Sequence, residues 1–341
     1  MRKWILAGCA IALMATCAVA QRGQRLSIKC RKEMVQLCGM NRDTIRGCLR
    51  ENTGQLSENC RSEIREQIGK RSGGEGKATR ATAGATEYAY GNDALQKLDF
   101  WKAKTANAPL VIFVHGGGWQ RGDKNNATGG SKALHYLEQG YAFASINYRL
   151  VPEATVEQQA ADVASSIAYL HSNAQRLGIN HRRIVLMGHS AGAHLSALVG
   201  TDPQYLRGAG LDLSALTGVV LLDGAAYDVP AQMVDGARMM QDSYQQAFGN
   251  EPQRQRALSP YWQASAPNAP SFLILHVERD DGARQSAALA DTLRKNGAKV
   301  QLESFEGKGL RGHMEINRKL GDPAYPATPV LDRWLRSAFG A

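Results

Sequence analysis

The pentapeptide Gly188-His189-Ser190-Ala191-Gly192 lies between an apolar run at 184–187 and a helix-like run at 193–199. A serine at so sharp a strand-to-helix turn is held with its side chain exposed, and flanking glycines let the two backbones pass closely. The apolar strand before it, and Leu195, Leu198 and Val199 at helical spacing after it, with no proline between, set this pattern apart from an ordinary turn. Ser190 is therefore the candidate nucleophile. A serine hydroxyl attacks poorly by itself and needs a base within hydrogen-bond reach, which in turn needs an acid to orient it.

On a turn of this kind the acid and the histidine follow the serine in chain order. Of eight histidines, His313 alone lies beyond the last predicted strand, after the glycine-rich stretch 307–312. His115, His135, His171 and His181 precede the serine, His189 and His194 belong to the turn and its helix, and His276 lies at the end of a strand. His313 is the candidate base. Asp280, four residues past His276, is the expected acid, because the strand just before the base ordinarily supplies it. Asp281 beside it and Asp223 at the end of the preceding strand are the alternatives. His115-Gly116-Gly117-Gly118-Trp119 follows another apolar strand, and glycines there let amide N–H groups approach a carbonyl oxygen. The amides of that glycine run, with the amide of Ala191, are the expected oxyanion donors, and Trp119 is the expected pocket wall. A phosphate loop also begins with glycines, but no Lys-Ser or Lys-Thr follows here.

Strand and helix signals alternate from about residue 87. Strands are expected at 95–101, 110–114, 142–147, 184–187, 219–222, 272–276 and 300–305, and helices at 158–176 and 286–296. Such alternation predicts an α/β fold, a mostly parallel central sheet flanked by helices, with ligands bound at the carboxyl ends of the strands. Ser190 falls at one of those ends. The connection 225–268 is long and carries Met233, Met239, Met240, Tyr244, Phe248 and Trp262. It reads as a cap whose methionines either line a tolerant pocket or form the cap's own core.

Together these residues resemble the alpha/beta-hydrolase superfamily, and within it esterases similar to hormone-sensitive lipase and to feruloyl and acetylxylan esterases. The likeness covers residues 87–341. It rests on His115 to Trp119, Asn147-Tyr148-Arg149-Leu150 with Pro152-Glu153, Gly188 to Gly192, the His276 to Asp280 loop, and His313-Met314-Glu315-Ile316-Asn317. It implies Ser190 as nucleophile, Asp280 as acid, His313 as base and Gly117, Gly118 and Ala191 as oxyanion donors, with no metal or organic cofactor. The strings from His115 to Gln120 and from Gly188 to Leu195 are also similar to kynurenine formamidases, which hydrolyse an aryl formamide.

Residues 1–86 have a different character. Arg2 and Lys3, a run from Trp4 to Met14 and a terminal Ala18-Val19-Ala20 form a signal peptide, with cleavage expected after Ala20. The apolar run is shorter than the roughly 20 residues that span a bilayer, and too little apolar sequence precedes Cys9 for a lipoprotein signal. Cys30, Cys38, Cys48 and Cys60 cluster in a helical module at 21–69, an arrangement that suggests two disulfides rather than a zinc site. Cys30 with Cys60 and Cys38 with Cys48 is the first choice of three pairings. The module resembles one unit of the cysteine-rich repeat of a Golgi-apparatus glycoprotein, through Cys48 to Asn52, Leu56-Ser57 and Cys60. A Gly-, Ala- and Thr-rich linker follows at 70–86.

Residues 21–80 hold fourteen Lys and Arg against seven Asp and Glu, so the net charge of +10 belongs mainly to this part. An anionic envelope surface is a candidate partner for it, and nucleic acid is not expected outside the cytoplasm. The expected protein is thus a periplasmic or secreted serine hydrolase cleaving small carboxylic esters through an acyl-enzyme, without a transmembrane segment once the signal is removed. Aryl formamidase and peptidase activities use the same triad and are the alternatives. A different class of function is an envelope-binding protein acting through the basic module.

Overall fold

The computed structural model describes residues 27–38, 52–63, 84–125, 128–265 and 267–340. The chain divides into two compact units, residues 1–75 and 76–341. In the first, a helix at Ile28–Cys38 is joined to a short helix over 58–63 by a disulfide between Cys30 and Cys60. Cys30, Cys60 and Leu56 are buried there, with Met34 and Leu37 packed against them. Ser57 caps the second helix by accepting from the Cys60 amide, and Glu33 accepts from both the amide and the hydroxyl of Ser57. So few apolar side chains make a small core, and a covalent staple offsets that deficit. Cys38 is also disulfide-bonded, while Cys48, its expected partner, lies outside the described residues. The signal segment and nearly all of the expected linker lie outside them as well. Among the described residues no helix is long and apolar enough to cross a membrane.

The second unit is built on an eight-stranded sheet: β1 Thr86–Ala89, β2 Lys97–Trp101, β3 Ala108–Val114, β4 Ala142–Ile146, β5 Ile179–His189, β6 Gly218–Leu222, β7 Ser271–Glu278 and β8 Lys299–Lys308. Their order across the sheet is β1-β2-β4-β3-β5-β6-β7-β8. β1 and β2 pair antiparallel at one edge, and every pairing from β4 to β8 is parallel. The central strands read as continuous apolar runs because both of their faces are covered. Leu110, Ile112 and Val114 of β3 point to one core, and Val111 and Phe113 point to the other, as the two-residue period of a strand requires. Helices Val156–Ser172, Ala191–Thr201 and Asp280–Lys295 cover the first face. Helices Lys132–Glu138, Gly309–Lys319 and Ala327–Phe339 cover the second.

Three departures from the sequence expectation bear on the site. β1 is an exposed edge strand at the junction of the expected linker and domain, where its weak apolar signal gave no expected strand. The helix after β7 begins at Asp280, six residues ahead of the expected 286, so β7 passes into helix through Arg279 alone. His313 sits on the helix Gly309–Lys319 rather than beyond a loop. That helix leaves β8 abruptly because Gly307 takes φ of 140° and a Cβ on Gly312 would lie 2.4 Å from the Gly307 carbonyl carbon.

Ile112 is wholly buried, in register with Ala144 of β4 and Leu186 of β5. Ile112→Ala should cost about 2 to 5 kcal/mol of stability. Urea unfolding followed by circular dichroism would show a lowered midpoint, and an unchanged midpoint would place the core elsewhere.

Candidate active site

Ser190 joins β5 to the helix Ala191–Thr201 with φ of 57° and ψ of −121°, a conformation L-residues rarely adopt. Glycines on either side make it possible. A Cβ at Gly188 would fall 2.1 Å from the Gly192 carbonyl oxygen, and one at Gly192 would fall 2.2 Å from that of Val114. The turn is fixed to the sheet by the Ser190 amide, which donates to Leu222 O at the end of β6.

The Ser190 Oγ lies 3.0 Å from His313 Nε2, and His313 Nδ1 lies 2.6 Å from Asp223 Oδ2. Nδ1–H donating to the carboxylate leaves Nε2 free to accept from the serine hydroxyl, the tautomer a general base requires. The three residues come from the ends of β5 and β6 and from the helix after β8. The helix is pinned from its other end by Lys132, whose buried ammonium donates to Thr128 O, Asn317 O and Asn317 Oδ1. Burial lowers that amine to about 7.

The acid is where the sequence expectation fails. Asp280, the expected partner of His313, is exposed on the first turn of its helix, because β7 continues to Glu278 and leaves no loop to bring that carboxylate back. Asp223, one strand earlier and wholly buried, makes the contact instead. Its Oδ1 accepts from the Val277 amide, and Oδ2 also accepts from Arg279 Nε at 3.2 Å. Burial alone would raise the Asp223 carboxyl, but the His313 hydrogen bond, the Arg279 charge and the Val277 amide together hold it below the usual carboxylate value. Asp281, the other alternative, bonds Arg279 and Gln232 rather than the imidazole.

The glycine-rich segment after β3 packs directly on the turn. A Cβ at Gly116 would lie 2.9 Å from that of Ser190, and Gly117, Gly118 and Trp119 all take positive φ. His115 underpins the segment, its ring stacked on Tyr148 and its Nδ1 donating to Gly116 O. Burial lowers His115 to about 4, so it stays neutral. Gly118 borders the cavity over Ser190, and Ala191 opens a helix whose first amides have no intrahelical acceptor. Trp119 touches that cavity but is only 1% exposed. Its indole mostly serves the core, donating to His194 Nδ1 and packing edge-on against Phe248.

The segment after β6 forms short helices at Val229–Asp235, Gln241–Phe248 and Pro252–Ala257. Met239 and Met240 line the cavity, whereas Phe248 is core and Trp262 is exposed. The cavity measures about 610 Å³ and is bordered by Ser190, His313 and Leu310 among others. A hollow of about 770 Å³ beside β8 is bordered by Glu306, Lys308 and Arg311 and does not include Ser190. Among the described residues no group of three His, Cys, Asp or Glu could hold a metal ion.

Two neighbours of the triad escaped sequence reasoning. Arg279 has no motif, although its place between an apolar strand and Asp280-Asp281 puts a cation among the candidate acids. His189 packs against His313 with ring centroids 4.6 Å apart, and its Nε2 donates to His313 O. Burial first, then the proximity of His313, keeps His189 far below the ordinary histidine range and so neutral.

The BD-FAE family model matches residues 98–293. Among curated proteins, esterase LipC of Mycobacterium tuberculosis is 35% identical over 205 residues, 56% of this chain and 50% of LipC. The chain thus spans half of that relative's length. Kynurenine formamidase of Danio rerio is 27% identical over 274 residues, 79% of this chain and 87% of that enzyme. Among solved structures, esterase B of Lactobacillus rhamnosis superposes with a TM-score of 0.62 at 21% identity, covering 81% of this chain and 93% of that one. An esterase of Thermogutta terrifontis gives 0.60 at 24% identity, covering 75% and 93%. Both share the fold.

Labelling by a fluorophosphonate reports serine reactivity independently of substrate. Asp223→Asn, which presents the wrong partner to Nδ1, should slow labelling of Ser190 by about 10⁴-fold. Asp280→Asn should label within a few-fold of the unaltered protein, and the opposite ranking would return the acid to residue 280.

Proposed function

The chain belongs to the BD-FAE family, and we propose that it is a serine hydrolase that cleaves carboxylic esters through an acyl-enzyme on Ser190. The observation that carries this is the unbroken chain of hydrogen bonds from Ser190 Oγ through the two nitrogens of His313 to Asp223. Ser190 Oγ attacks the ester carbonyl as its proton passes to His313 Nε2. The resulting imidazolium is held by the Asp223 carboxylate, and the oxyanion accepts from the amides of Gly117, Gly118 and Ala191. Each such donor contributes on the order of 100- to 1000-fold to turnover. His313 then protonates the departing alkoxide, and the alcohol leaves. Water, deprotonated by the same imidazole, attacks the acyl-serine, and the acid is released as the proton returns to Ser190.

The cavity suits a substrate with an apolar part of moderate size. Met240, Ala225 and Ala237 border it, with the exposed side chains of Met239 and Leu310 at its edge. Methionines repack around varied shapes at little cost. A second reading, an aryl formamidase, is favoured by the likeness to kynurenine formamidase over 87% of that enzyme. The two differ in leaving group, an alcohol or an aromatic amine, and in how far His313 must protonate it before the bond breaks.

Export belongs to the same proposal. It is supported by the signal-like residues 1–20 and by the Cys30–Cys60 disulfide, which persists in an oxidising compartment. The basic residues 21–80 make an anionic envelope surface the proposed partner of the first unit.

Purified protein should hydrolyse p-nitrophenyl butyrate, and Ser190→Ala should lose about a millionfold in turnover. N-formylkynurenine assayed in parallel should turn over more slowly than the ester. A higher kcat/KM on the formamide would select the second reading, and activity surviving in Ser190→Ala would reject both.

A further inference from the structure

Arg279 is the residue whose position the triad alone does not explain. It precedes the helix Asp280–Lys295 as its N-cap, and a Cβ on Gly282 would lie 2.7 Å from its Nη2, so the guanidinium lies over the first turn of its own helix. That is the wrong end of a helix for a cation, since first-turn amides carry partial positive charge. Three acceptors overcome this. Nε donates to Asp223 Oδ2 at 3.2 Å, Nη2 to Gly224 O at 2.6 Å, and Nη1 to Asp281 Oδ2 at 3.0 Å. The side chain is 18% exposed, and it borders the cavity that holds Ser190 and His313.

Asp223 Oδ2 is therefore shared between the imidazole and the guanidinium. With the acid supplied from β6, the end of β7 carries a clamp in the place where an acid was expected. We propose that Arg279 is a positioning residue for ester hydrolysis: its guanidinium fork fixes the Asp223 carboxylate against His313, and its charge sets how strongly that carboxylate stabilises the imidazolium, under the restraint of Asp281 on its far side. The inference rests on the proposed triad. A cation on the shared oxygen draws negative charge away from the imidazole and so weakens the carboxylate's hold on the imidazolium. The fork geometry also matters, because a lysine offers a point charge and cannot reach three acceptors in one plane.

The other ionisable groups around His313 keep their places in this account. His189 faces the ring from β5, Tyr227 and Tyr244 come from the segment after β6, and Tyr325 acts on Asp223 from beyond the His313 helix. Burial raises all three phenols, which stay neutral. Lys132 reaches the helix through Asn317, and the ion pairs Lys308–Glu278 and Lys319–Glu315 lie at its two ends, with Arg311 between them on the same helix. Asp280 and Arg284 border the cavity, Arg284 paired with Asp235. None of these groups is altered by the variants that test the proposal.

The test is the pH profile of kcat/KM on p-nitrophenyl butyrate for three variants of the full chain. Arg279→Gln removes the charge, so the acidic limb should move to higher pH by about half to one unit, and kcat should fall at least tenfold with KM little changed. Arg279→Lys keeps the charge and loses the fork, so the limb should stay near the unaltered position while kcat falls. Asp281→Asn leaves Arg279 less neutralised, so the limb should move the opposite way, to lower pH. The Asn variant removes no core group and carries the test if Arg279→Gln does not fold. Unmoved limbs in both the Gln and the Asn variants, or shifts in the same direction, would overturn the proposal while leaving a Ser190-dependent activity intact. Activity that does not depend on Ser190 would instead reject the triad on which it rests.

Discussion

A fully buried carboxylate is costly unless its charge is matched, and in this protein the candidate active site is arranged around one. Asp223 is wholly buried and takes its compensation from His313, Arg279 and the Val277 amide. Each partner is fixed in consequence. The imidazole is held in the tautomer that turns Nε2 toward Ser190, the guanidinium is drawn over the end of β7, and the β6 and β7 termini are tied together beyond their ladder. Removing one partner would leave the buried charge less fully compensated, and breaking a buried pair costs more than the intact pair contributes.

The sheet supplies the rigidity this requires. β5, β6 and β7 are adjacent and parallel, so their carboxyl ends bring Ser190, Asp223 and Arg279 to one rim without long loops. The helix bearing His313 packs on the second face, where Ile316 joins the core and Lys132 ties the Asn317 end to the segment after β3. The strained φ of Ser190 is maintained by glycines whose neighbours leave no room for a side chain. The strands therefore carry Ser190 and Asp223, while the segment after β6 borders the cavity over Ser190.

Local pattern was enough to locate Ser190, because a turn of this kind is written in five consecutive residues between two periodic runs. His313 was legible by elimination, as the histidine beyond the last strand. The α/β alternation was legible for the same reason that its central strands are apolar throughout: both faces are buried. Asp223 was harder, since an aspartate at a strand end looks the same whether or not a histidine from 90 residues later reaches it. What decided between Asp223 and Asp280 was where the helix after β7 begins. Asp280, Asp281 and Gly282 are weak helix formers, so the sequence suggested a loop there, but Gly282 and Gln285 are buried and Gln285 bonds Asp228 and Gln232, contacts from distant chain that fix the extra turn. Arg279 and His189 left no local signal because their roles are set wholly by neighbours distant in sequence.

The central claim is that the proton on His313 Nδ1 is donated to Asp223. A far-downfield proton resonance from that short hydrogen bond, observed by NMR, tests it directly. The resonance should be present in the unaltered protein and in Asp280→Asn, and absent in Asp223→Asn. Its persistence in Asp223→Asn, or its loss in Asp280→Asn, would contradict the account.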